Sequence, residues 1–80
     1  MSVKKSITKD ELEFAIFCVE CVADEVGLKG NEVYELMMNC PGLNVLDDYV
    51  IEFYSTLHTQ GREYIVRELI ELMRKKGTKI

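Results

Sequence analysis

"TKDELEFAIFCVECVADEVG", residues 8–27, is the stretch on which the fold turns. Thr8 and Glu11 have the S/T-x-x-E spacing, in which each side chain satisfies a backbone amide that the first helical turn leaves without a partner. A helix is therefore expected to begin at Thr8, and Gly27 supplies a left-handed stop at its other end. Between them Leu12, Ala15, Ile16, Val19, Ala23 and Val26 recur at intervals of three and four, the period of one helix face. Phe14, Phe17, Cys18 and Cys21 form a second apolar set alongside and widen the stripe. A helix this apolar is expected to be the central one, buried on more than half of its circumference.

Three further helices are expected to surround it. One runs from about Asn31 to Asn39 with Val33, Leu36, Met37 and Cys40 inward; it ends because Pro41 disfavours helical geometry at Cys40 and Gly42 permits a sharp reversal. A third uses Asn44 as its cap, with Asp47 favoured in the first turn by the helix dipole and Leu46, Tyr49, Val50, Phe53 and Leu57 facing inward. The fourth runs from about Gln60 to Lys76 with Ile65, Val66, Leu69, Ile70, Leu72 and Met73 apolar. Glu63 with Arg67, Arg67 with Glu71 and Glu71 with Lys75 are four apart on its outer face. Arg74, Lys75 and Lys76 suit its C-terminal end, and the residues after Gly77 are expected to fray. No segment has the period of a strand. The expectation is an all-α fold: a single domain over residues 1–80, ordered over about 8–77, forming a compact bundle of about four helices with no sheet.

Charge distribution says more than the net charge of −4. Residues 10–61 hold eleven acids against Lys29 alone, whereas residues 1–9 and 62–80 each carry a net +3. An acidic body repels a phosphate backbone, which makes nucleic acid an unlikely partner. The apolar runs are too short for a membrane span or the core of an export signal, so a cytoplasmic location is expected. Three cysteines, two of them in an apolar stripe, fit reduced core thiols better than a disulfide framework.

Two groups of residues are candidates for function. At "LHTQGREY", residues 57–64, the apolar face of the third helix runs out and that of the fourth begins. The structural reading makes Thr59 the cap of the fourth helix, sets His58 on the last carbonyls of the third, and has Gly61 relieve crowding. The chemical reading makes His58, Thr59, Gly61 and Arg62 an anion site, combining free amides at a helix N-terminus with a guanidinium. Catalysis is not expected, because the chain's one histidine has no nucleophile placed beside it by sequence. Cys18, Cys21, Cys40 and His58 can be written as a zinc set, but a C-x-x-C in mid-helix among phenylalanines reads as core, and neither a metal nor a cofactor is expected. The second group lies off the expected core faces: Tyr34, Met38, Ile51 and Tyr54, with the acids Glu13, Glu20 and Asp24 along one side of the first helix. Apolar side chains outside a core point to an interface, and mild like-charge repulsion in a small domain points to a basic partner.

"GLKGNEVYELM", "LDDYV" and "LHTQGREYIVRELIELM" together resemble a family of short bacterial proteins carried as a domain of unknown function. The resemblance covers about residues 10–75 and rests on Gly27, Gly30, Glu32, Val33, Tyr34 and the run from His58 to Tyr64. Relatives often have a small capping residue where this chain has Lys29, so the start of the second helix is expected to be less sharply defined. Family members are often encoded beside a protein resembling an ADP-ribosyltransferase, which implies a regulatory or antitoxin-like partner role. The expected function is therefore protein interaction without turnover. Glu20, Asp24, Tyr34, Met38 and Tyr54 would contact a basic partner or a second copy of the chain. The alternative is a small anion- or nucleotide-binding domain with its site at the His58–Arg62 corner.

Overall fold

The computed structural model describes residues 8–80, so the first seven residues of the expected domain lie outside the described part. The elements in order are α1 (Lys9–Val26), α2 (Gly30–Met38), a π-helical segment (Val45–Val50), α3 (Tyr54–Leu57) and α4 (Arg62–Lys75). Among the described residues there is no strand, and the fold is an all-α bundle.

The first helix begins where its capping box puts it. The Glu11 amide donates to Thr8 Oγ1 at 3.1 Å, and the Thr8 amide donates to Glu11 Oε1 at 3.1 Å. Gly27 ends the helix at φ 75°, a conformation that only glycine adopts freely, and its amide and that of Leu28 both donate to the Ala23 carbonyl. α1 packs against α2, α4 and the π segment and is the central helix. Its buried side chains are Ala15, Cys18, Val19, Cys21, Val22 and Ala23. At about 100° per residue they span about 200° of the helix, more than half its circumference. Leu12 and Ile16 are nevertheless 52% exposed and Phe17 45%, contrary to the expected inward stripe. Leu12 and Ile16 border the same open groove as Tyr34 and Met38 of α2, which lies beside this part of the stripe without closing over it.

Gly30 opens α2, and its first turn has half of a capping box. The Lys29 amide donates to Glu32 Oε1 at 2.9 Å, but an ammonium group cannot accept the return bond. Val33 and Met37 are fully buried, Cys40 is buried after the helix ends, and Leu36 is half-buried. Gly42, at φ 73°, turns the chain toward the next element.

The expected continuous third helix is broken in two. Asn44 does cap its start, with Oδ1 accepting the Asp47 amide at 3.0 Å, and the Asn44 amide donates to Asp48 Oδ2 at 3.0 Å. The turns that follow are wider than α-helical: the Ile51 amide donates to the Leu46 carbonyl, five residues back, at 2.8 Å. The side chains supply a reason. Val45 and Val50 are both fully buried, yet in an α-helix residues five apart point about 140° away from each other. The widened turn brings both to the core. The cost is a shift of everything after it, and Phe53, expected inward, is 48% exposed. α3 is then a single turn that anchors through Leu57.

α4 buries Ile65, Val66, Leu69, Ile70 and Met73 and leaves Leu72 half-buried. Thr59 does not cap it; the hydroxyl donates instead to the Thr56 carbonyl at 2.7 Å, and Gly61 holds the cap position with no side-chain bond. The spacings of Glu63, Arg67, Glu71 and Lys75 close no ion pair within 4 Å. Nor is the C-terminal tail frayed as expected. Gly77 at φ 103° donates to the Arg74 carbonyl, Thr78 donates to that of Met73, and the Thr78 hydroxyl donates to Cys40 Sγ at 3.1 Å. Ile80 packs on the core while its carbonyl accepts from Arg74 Nε at 3.1 Å. A Schellman turn thus redirects the chain so that the tail fastens α4 to the turn after α2.

Candidate functional site

The uncovered first turns of α1 form one wall of an apolar groove of about 400 Å³. Leu12 and Ile16, four apart, stand on α1; Tyr34 and Met38, also four apart, stand on α2; Leu46 on the π segment and Ile51 just after it close the groove. Tyr34 is 48% exposed and Met38 half-buried, so these side chains line the opening and do not fill it. The charged residues on the lining are Glu20 and Asp47, with no lysine or arginine.

The structure divides the residues expected to contact a partner. Glu20, Tyr34 and Met38 meet in this groove, joined by Ile51. Asp24 and Tyr54 do not. Asp24 accepts from Arg62 Nη2 at 3.0 Å. Tyr54 belongs to an aromatic row on another side of α1, where its ring stacks on His58 at 4.5 Å and meets Phe14 edge-on at 5.5 Å, while Phe14 stacks on Phe17 at 6.2 Å. Leu12 and Ile16 were missed as groove residues, since period alone assigns an apolar residue to a core face whether or not anything covers that face.

At the 57–64 corner the side chains expected to converge on an anion have separate partners. His58 Nδ1 lies 2.7 Å from the Tyr54 carbonyl, and because a carbonyl only accepts, that nitrogen carries the proton. This is the helix-end contact expected of the histidine. The Arg62 guanidinium is turned to α1, with Nη2 on Asp24 and Nε donating to Cys21 Sγ at 3.3 Å; the bond to Cys21, followed by Asp24, raises its pKa above the ordinary arginine value. Thr59 is bonded within its own turn. A Cβ on Gly61 would meet nothing within 4 Å, so this glycine does not relieve crowding.

The thiols are spread through the core. Cys18, Cys21 and Cys40 are all free and buried, and burial, with Cys21 as the lesser cause, pushes the Cys18 thiol up to about 12. Among the described residues no three histidines, cysteines or acids gather as a metal-ligand set, and no helix is long and apolar enough to cross a membrane. A second, open cleft of about 780 Å³ lies between the end of α1 and α4, lined by both signs of charge, including Glu25, Arg67, Glu71 and Arg74. Having no excess of either sign, it offers less discrimination than the acid-flanked groove.

No curated protein and no solved structure matches the chain. One family model does match, that described as "Protein of unknown function (DUF3791)", over residues 13–76. That span holds the central helix from its fifth residue onward, the α2 wall of the groove and the histidine corner, and the chain belongs to this family.

Proposed function

We propose that this protein is a non-catalytic interaction module that docks another protein in the groove between α1, α2 and the π segment. The single observation that carries the reading is the exposure of Leu12, Ile16 and Tyr34 around one concave apolar surface flanked only by acids. An 80-residue domain gains stability from each large side chain that it buries, so three left half in water at one place favour a surface reserved for a partner. The acids at its edge add selectivity for a basic surface.

The experiment is an affinity capture with the whole chain as bait, followed by cross-linking. The family resemblance makes an ADP-ribosyltransferase-like protein the first partner to try. Ile16→Glu places a charge in the groove, and Phe17→Glu places one on the adjacent face of the same helix. Capture by the parent and by Phe17→Glu, with loss in Ile16→Glu and cross-links to α2, supports docking in the groove. Capture that survives Ile16→Glu overturns it.

A further inference from the structure

We infer that the segment seated in this groove is a short, basic amphipathic helix, an inference that rests on the docking role proposed above. Three physical features select it. The walls are helices, and among the described residues there is no open strand edge with which an extended peptide could pair its main chain. Leu12 and Ile16 on one wall, and Tyr34 and Met38 on the other, are both pairs at the i, i+4 spacing that forms ridges along a helix, and the furrow between two such ridges accepts the ridge of a third helix. From Leu12 to Val19 the α1 wall is about 10 Å long at about 1.5 Å per residue, enough for roughly two turns of an occupant presenting apolar side chains at i, i+3 or i+4, and i+7. Met38 at the far wall adapts to side chains of different shape.

Charge then selects among helices. Glu20 stands on the α1 wall and Asp47 on the π segment, so lysine or arginine flanking the apolar stripe on both sides meets a carboxylate on each. The surrounding body, with eleven acids against Lys29 over residues 10–61, extends the same field and repels lipid or nucleic-acid phosphates. It also disfavours a second copy. A two-fold contact of groove on groove sets the same acidic patch against itself, bringing Glu20 and Asp47 of one protomer close to those of its partner.

The test uses the full chain, isotope-labelled, and a synthetic helical peptide of about twelve residues with leucine at i, i+3, i+4 and i+7 and lysine on its flanks. Two control peptides replace the lysines by glutamates or rearrange the same residues into strict alternation. The lysine helix is expected to shift amide resonances of residues 12–20, 34–38 and 46–51, and to bind about tenfold more tightly than the glutamate version. Ile16→Glu abolishes these shifts, and the double substitution Glu20→Lys with Asp47→Lys reverses the preference between the two charged peptides. Equal binding of the alternating peptide, equal binding of the glutamate peptide, shifts centred outside the groove, or a concentration-dependent dimer that buries Ile16 would each overturn the inference. Its failure is distinguishable from failure of the docking role. If a captured partner is still lost in Ile16→Glu but its cross-linked segment is extended or acidic, the groove docks proteins and this occupant is wrong.

Discussion

Arg62, in the first turn of α4, donates from Nη2 to the Asp24 carboxylate near the end of α1 at 3.0 Å, and from Nε to the Cys21 sulfur one turn earlier at 3.3 Å. The two residues are 38 positions apart in the chain, and their contact ties the histidine corner to the central helix. It also gives an intramolecular partner to an arginine and an acid that, read in sequence, are candidates for ligands, while their side chains stay 47% and 80% exposed.

Arg62→Ala is accordingly expected to lower the melting temperature modestly, and by the same amount in phosphate and in phosphate-free buffer. Because the pair is largely solvated, the difference from the parent shrinks at 1 M salt, where charges are screened beyond about 3 Å. Thermal scans in the three buffers check this. Stabilisation by phosphate that vanishes only in Arg62→Ala would restore the anion reading of the corner.

The groove and the core respond differently to substitution. Ile16→Glu changes a half-exposed position and is expected to leave unfolding free energy within about 0.5 kcal/mol of the parent. Leu69→Ala, at a fully buried position, is expected to cost about 2–5 kcal/mol. Urea titrations of the two variants measure the contrast, and a large loss in Ile16→Glu would mean that the groove is part of the core.

Removing Thr78–Ile80 is expected to cost about 2 kcal/mol, from the hydroxyl bond to Cys40, the closing amide of the Schellman turn and the apolar contacts of Ile80. Cys40 then loses its cover. Its reaction with a thiol reagent under native conditions should accelerate in the truncated chain while that of Cys18 does not, as mass spectrometry of labelled peptides will show.

Glycine substitutions separate conformational need from habit. Gly27→Ala forces a Cβ into the left-handed region and is expected to cost about 1 kcal/mol or more. Gly61 has φ −74° and open space around it, so Gly61→Ser introduces no strain, supplies the missing cap and is expected to gain a few tenths of a kcal/mol. Melting temperatures should move in opposite directions, by about 4–8 °C per kcal/mol for a domain of this size.

Burial of Cys18 gives a pH dependence with a definite sign. Its thiol ordinarily ionises near 9.0 and in the fold only near about 12, so between those values the unfolded chain has released a proton that the folded chain retains. Stability is therefore present in full below pH 9 and falls as pH rises through that window. Cys18→Ala should flatten the alkaline limb of stability against pH; an unchanged limb would assign it to other groups.

Where neighbours in the chain decide the geometry, the sequence is a sufficient guide. The Thr8–Glu11 box, the Gly27 stop and the Asn44 cap are contacts within four or five residues, and each was legible as a spacing. The errors fall where a distant partner competes. The Thr59 hydroxyl is a local exception, bonding back three residues to the Thr56 carbonyl where a forward cap was expected. The fraying expected after Gly77 gives way because Cys40, 38 residues away from Thr78, waits to receive its hydroxyl.

The sequence by itself determined α1, α2 and α4, the apolar stripes and the acidic character of the body, because periodicity, capping and charge are local properties of the chain. Which part of a stripe stays uncovered was decided only when the helices packed together: α2 and the π segment flank Leu12 and Ile16 without closing over them, which leaves both half in water. The widening at Val45–Val50 has the same origin, since burying two valines five residues apart is a demand made by the core and not by the segment. Tertiary packing thus decided the groove, with Glu20, Tyr34 and Met38 gathered around Leu12 and Ile16 while Asp24 and Tyr54 were drawn into contacts of the fold.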